Sequence, residues 1–178
     1  MTTDALDLQT LSIGLLITRV IIGLVMAAHG TQKLFGWFGG YGLHQTGEFF
    51  VQLGWNSGRS FAAAASVVEI TSGLLVALGL FGPVGPALMI SVMLVAAISV
   101  HWSHGLFAST NGIEVPLLYS AAAFGIALIG PGAYSLDAQL GIAHFWNPTN
   151  TLIVLAFGIL GGLGNLALRK RAVIDTGV

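Results

Sequence analysis

The chain has 178 residues, of which 55% are hydrophobic and only 7% charged, with a formal net charge of −1. Soluble domains carry roughly a quarter charged residues, and a soluble chain of this size could not hide so much apolar surface, so the composition specifies an all-α integral membrane protein. The near-neutral balance provides no basic face for nucleic acid, and the lack of cysteine excludes disulfides, thiol redox chemistry and cysteine-ligated metal.

The first ten residues, MTTDALDLQT, are acidic and lack the basic region of a signal peptide, so the first apolar segment is expected to be retained. A hydrocarbon core asks for about 20 apolar residues per helix. Five segments meet or approach that length: 11–29, 61–81, 86–102, 115–129 and 151–168. The expected fold is a four-helix transmembrane bundle over residues 1–135. Residues 136–178 would add a loop, a fifth transmembrane helix and a basic tail. Proline and glycine in "GPVGP" (82–86) and "GPG" (130–132) mark tight turns between spans. Small residues let membrane helices approach closely, so Ala62 to Ala65, Gly73 and Gly79 make the second span a packing core, and Gly158 and Gly162 read as bundle packing ahead of a dimer interface.

Basic residues near span ends set orientation. Arg169, Lys170 and Arg171 follow the fifth span, and Lys33 and Arg59 lie in the first loop, which five spans place on the same side. Asp4, Asp7 and Asp137 fall on the other side. The expectation is a bacterial inner-membrane protein with its N-terminus outside and its C-terminus cytoplasmic.

The polar residues then gather at one face. His29 and Lys33 end the first span, His101 and His104 the third, and Glu114 begins the fourth. Arg19 and Glu69 are expected at equal depth, roughly 14–15 Å in, where an unpaired charge is costly, so they are expected to pair. Asp137 and His144 are left to the opposite face, and His44 and His144 read as interfacial anchors. The stretch "HGTQKLFGWFGGYG" (29–42) reads as an interfacial segment over the bundle mouth, with Phe35, Trp37 and Phe38 as an aromatic lid; 43–60 would be an ordered cap, and 105–112 a second flap.

Several chemistries fit this inventory unequally. His101 and His104, three apart on a helix, share a face and suit a metal, but the helix is ending there and no HExxH-type context surrounds them. Facing His29 and His101 would suit a haem, on no stronger grounds. A quinone or quinol fits better: it needs an apolar slot, one or two polar partners at its oxygens, and a titratable group to exchange protons.

Arg19 with Gly23, then "HGTQKLFGWFGG", "VVEITSGLLVALGL", "SVHWSHGLF" and "NGIEVPLLYSAAAFGIALIGPGAYSLD", in that order and spacing, resemble the DoxX family of small bacterial membrane proteins over about residues 18–137. The resemblance implies a four-helix transmembrane bundle and association with redox membrane complexes, since relatives of this type resemble small subunits of thiosulfate:quinone oxidoreductase. It carries Arg19, His29, Lys33, Glu69, His101 and Glu114 over as ligand-binding candidates. The tail departs from the family and offers a docking surface for a partner. Two functions are therefore expected: a quinone-linked redox subunit, not catalytic alone, or a non-catalytic accessory or assembly subunit of a larger electron-transfer complex, with lipids and a protein partner or a second copy around it. A small transporter is weaker, because the sequence carries no inverted repeat.

Overall fold

The computed structural model describes residues 3–170, with side chains from residue 7 onward; Arg171 of the basic tail and the side chain of Asp4 lie outside the described part. The elements are α1 (Thr3–Phe35), α2 (Gly42–Gln52), α3 (Gly58–Leu78), α4 (Val84–Ala96), α5 (Glu114–Ile129), the single turn α6 (Leu136–Gln139) and α7 (Pro148–Ala167). Among the described residues there is no strand. Asp7–Phe35, Gly58–Leu78, Val84–His104 and Pro148–Ala167 are long and apolar enough to cross a bilayer, and Glu114–Ile129 is a shorter apolar helix. Its 16 residues span about 24 Å, a few ångströms less than a hydrocarbon core. The molecule is a helical bundle of a multi-pass membrane protein.

Glycine sets the α1–α3 contact. A Cβ on Gly23 would lie 2.4 Å from the carbonyl of Gly73, and one on Gly73 would lie 2.4 Å from the carbonyl of Gly23. Seven residues further along α1, Gly30 lies against Ser66 and Ile70. Lipid supplies no hydrophobic drive between helices, so such backbone approach is what holds them together. The α4–α7 pair repeats the device: Gly158 sits on the carbonyl of Ala87 and Gly162 on that of Ser91. These two glycines therefore serve packing inside the bundle. Met26, Met89, Met93 and Leu155 fill the core between α1, α4 and α7.

Two boundaries differ from expectation. Nothing in "GTQKLF" breaks a helix, so α1 runs six residues past His29, to Phe35, and stops at Gly36 with φ 75°. The segment 43–60 contains a helix, α2, which packs on α3. Together these revise the depths of the two buried charges. Arg19 is 16 residues from the end of α1, about 24 Å, whereas Glu69 is 11 residues into α3, about 17 Å. The expected Arg19–Glu69 pair does not form; Glu69 pairs with Lys33.

Arg19 belongs to the opposite end of the bundle. Its Nη2 donates to the Tyr134 carbonyl at 2.6 Å, and its guanidinium lies against Gly79, where a Cβ would fall 1.8 Å from Nη1. Gly79 also closes α3 in the left-handed conformation, φ 62°. Asp137, expected in a surface loop, is fully buried. It accepts from the N–H of Phe81 (2.8 Å), of Gly82 (2.6 Å) and from Trp146 Nε1 (2.8 Å). The acid thus ties the α3–α4 turn to the segment leading into α7.

At the other end, the indole of Trp55 donates to the Asn165 carbonyl (3.4 Å) and Lys170 N–H to the Gly54 carbonyl (2.9 Å). The Arg169 guanidinium stands 5.5 Å from the Trp55 ring centre, within cation–π range. Lys33, Arg59, Arg169 and Lys170 therefore share one end of the molecule, with Asp137 at the other.

Candidate functional site

Side chains on a helix lean toward its N-terminus. On antiparallel helices this turns Lys33 of α1 inward, into the bundle, and Glu69 of α3 outward, toward the basic end. The two meet in an ion pair between Nζ and Oε1. Glu69 is 2% exposed, while about a third of the Lys33 side chain remains accessible.

The pair stands in the wall of a cavity of about 340 Å³ that His101 also lines, a volume inside the range of small-molecule sites. Phe49 and Phe50 of α2, Leu53 just past its end and Phe61 of α3 supply its aromatic and apolar cover, and Val92 and Val95 of α4 an aliphatic side. Gly161 and Asn165 bring α7 into the wall, so the C-terminal helix builds the site as well as flanking the bundle.

His101 reaches the cavity through an irregularity. After Ala96 the chain winds as a π-helix over Ala97–His101 and then as a 3-10 turn over Trp102–His104. Such wide turns re-aim side chains and recur at functional positions. His101 Nδ1 lies 2.7 Å from the Asn111 carbonyl. A carbonyl only accepts, so Nδ1 carries a proton and donates it there.

Among the described residues, Glu69 Oε2 and Asn165 Oδ1 are buried oxygens without a hydrogen-bond partner, and Lys33 Nζ has donors beyond the one given to Glu69 Oε1. The structure thus brings Lys33, Glu69 and His101 together from three helices. The other three candidates stand elsewhere. Arg19 is at the Asp137 end. His29 is half-buried, with Nδ1 3.2 Å from Gln32 Oε1 and its ring edge-on to Tyr119 at 5.9 Å. Glu114 accepts from the Ala108 N–H at 2.7 Å and so secures the loop 105–112, which Thr110 also ties back to the His104 carbonyl.

The lid aromatics Phe35, Trp37 and Phe38 are exposed and cluster on one another, with Phe35 and Trp37 5.0 Å apart. None of the three lines the cavity. Its aromatics come from α2 and α3, because the early glycines make a tight turn that hands the covering role to the next helix. His104 donates from Nδ1 to the Val100 carbonyl, and among the described residues no three His, Asp or Glu side chains cluster as metal ligands do. Sequence reasoning missed Asn165, Phe49 and Phe50. Asn165 carried a signal, as an amide inside an otherwise apolar span; the phenylalanines carried none that separates a cavity wall from a lipid face.

A comparison with curated proteins yields no match, and none arises among solved structures. The family model described as DoxX matches residues 14–102. That covers half of the chain, includes Arg19, His29, Lys33, Glu69 and His101, and ends one residue beyond His101, so Glu114 and all of α5 and α7 lie outside it. The glycine-coupled α1–α3 pair and the wall carrying Lys33, Glu69 and His101 fall inside the matched region: this chain belongs to the DoxX family.

Proposed function

We propose that the protein is a quinone-binding subunit of a membrane redox system, lying in the bacterial inner membrane with its basic end in the cytoplasm. The observation that carries the reading is the cavity itself: a largely apolar chamber near one end of the bundle, into which three helices bring an ammonium, a carboxylate and an imidazole. A quinone ring asks for that combination. Phe49, Phe50 and Val92 would hold the ring, Lys33 Nζ would donate to one ring oxygen, and Glu69 and His101 would stand by its protons. The bound quinone would supply the electron chemistry, since the chain has no cysteine. An electron-donating partner is implied, and the exposed Phe157 and Leu160 of α7 offer it an apolar face. Orientation rests on Lys33, Arg59, Arg169 and Lys170 at a common end.

The test is chemical. Protein extracted from its membrane in mild detergent should carry quinone, detected by solvent extraction and chromatography. Glu69→Gln and His101→Ala should each cut the retained quinone about tenfold, the equivalent of one hydrogen bond to a charged or strongly polar group. Wild-type protein that neither retains quinone nor rebinds a short-tailed one would overturn the reading.

A further inference from the structure

We propose that the cavity opens sideways into the bilayer, through a slit between α3 and α7 edged by Ala64 and Gly161, and that its ligand is a tailed quinone whose hydrocarbon chain lies in that slit. The inference rests on the reading of the cavity as a quinone site. It adds the route by which the ligand arrives and the part of the ligand that α7 meets.

The slit follows from how the helices pack. α3 lies against α1, α2 and α4, whereas α7 lies against α4 and α5, so the two flank α4 with a gap between them. Leu88, Ser91, Val92, Val95, Ala96 and Ser99 line the cavity at three- and four-residue steps, as one stripe that floors this gap. From Leu88 to Ser99 the stripe runs about 16 Å, longer than a single six-membered ring. The end nearest the basic residues is strapped. The Leu53 and Gly54 carbonyls accept from Arg169 Nε and the Lys170 N–H, and the Trp55 indole donates to the Asn165 carbonyl. Trp55 is buried and packs between Phe50 and Phe61 of the cavity wall, with ring centres 5.3 and 6.0 Å away. The long side of the gap differs. Ala64 and Gly161 line the cavity and are also exposed, so the wall is broken there, along spans that face lipid. Glycine keeps the α7 edge open. A Cβ on Gly161 would lie 3.7 Å from Ser91 Oγ and meet nothing else within 4 Å, whereas Gly158 and Gly162 press on the α4 backbone. Gly161 therefore has no part in the close packing that accounts for those two glycines, and a larger side chain there would fill the slit. A hydrocarbon chain asks only for apolar contact, which Val68, Leu88 and Val92 give. A solute from water would have to cross lipid to reach the same opening.

Photolabelling reads the route directly. The probe is a benzoquinone that carries a diazirine near the ring end of a decyl tail, and the label is mapped by peptide mass spectrometry on the full chain in lipid nanodiscs. Label that unmodified quinone competes away should fall on Ala64 to Val68 of α3 and around Gly161 of α7. Gly161→Leu should lower it about tenfold, because its extra methylenes must share the space of the tail. Gly164→Leu is the control, three residues further along α7, where nothing lies within 4 Å of an added Cβ; it should leave the label unchanged. Competable label confined to other walls, such as α1 and α5 around Ile21 and Tyr119, overturns the slit and leaves the quinone site standing. A folded Gly161→Leu protein that labels like wild type does the same. Absence of competable label overturns the slit alone if the extracted protein retains quinone, and both readings if it does not. The wild-type map decides even where Gly161→Leu fails to fold.

Discussion

Replacing Asp137 by alanine should lower the thermal unfolding midpoint of the detergent-solubilised protein by about 15 °C. The residue is fully buried and accepts three hydrogen bonds, from the N–H groups of Phe81 and Gly82 and from the Trp146 indole. A hydrogen bond to a charged group contributes about 1.5–3 kcal/mol, and the stranded donors add a desolvation cost. The loss is therefore on the order of 5 kcal/mol, and about 2–4 °C accompanies each kcal/mol in a chain of this length. Asp137 is also the acid whose charge acts on the buried Arg19, which among the described residues has the Tyr134 carbonyl as its one hydrogen-bond partner, so removing the acid weakens a second buried group. Trp146→Phe, which deletes one of the three donors and trims the ring that packs on Gly82, should cost about half as much. A Asp137→Ala protein that melts within about 3 °C of wild type would show that the α3–α4 turn does not depend on this acid.

Gly23→Val should separate α1 from α3. A Cβ at that position would lie 2.4 Å from the Gly73 carbonyl and 2.6 Å from the Ala77 nitrogen, with backbone on both sides. Backbone cannot rotate away as a long side chain can, so the helices must part. Parting opens the contact at Gly30 and shifts Lys33 relative to Glu69. Overpacking a tight core costs about 1–3 kcal/mol; here the loss of close helix contact in lipid adds to it. The expected result is a fall of about 10 °C in the melting midpoint, together with loss of quinone retention. Gly14→Ala is the control, because nothing lies within 4 Å of an added Cβ there; it should leave the protein unchanged or slightly stabilised, as alanine is the better helix former. Equal behaviour of the two variants would remove the glycine contact as the organising feature of the bundle.

The site was legible in part. Glu69 and Lys33 stand out in a chain so poor in charge, because lipid makes every intramembrane ionisable group an event that needs explaining. Their partnership was not legible. Pairing depends on helix register, and register followed from an α1 end that the eye places at His29, where hydrophobicity stops, although backbone hydrogen bonding continues to Phe35. An error of six residues is about 9 Å along a helix, enough to assign Glu69 the wrong cation. Asp137 shows the same limit from the other direction. "SLDAQ" reads as a polar turn, and nothing local reveals that the turn folds inward beneath Gly82 and Trp146.

The amino-acid sequence alone determined that this protein lives in a membrane, that it is helical, where each long apolar helix falls, and which family it resembles. These follow from solvent: hydrocarbon admits only apolar spans whose backbone bonds are satisfied within the helix. Tertiary structure alone decided that α2 roofs the cavity, that α7 helps wall it, that Lys33 rather than Arg19 meets Glu69, and that Asp137 is buried. Those outcomes depend on which small residue of one helix admits which backbone of the next, and such contacts join positions far apart in sequence that no local pattern relates.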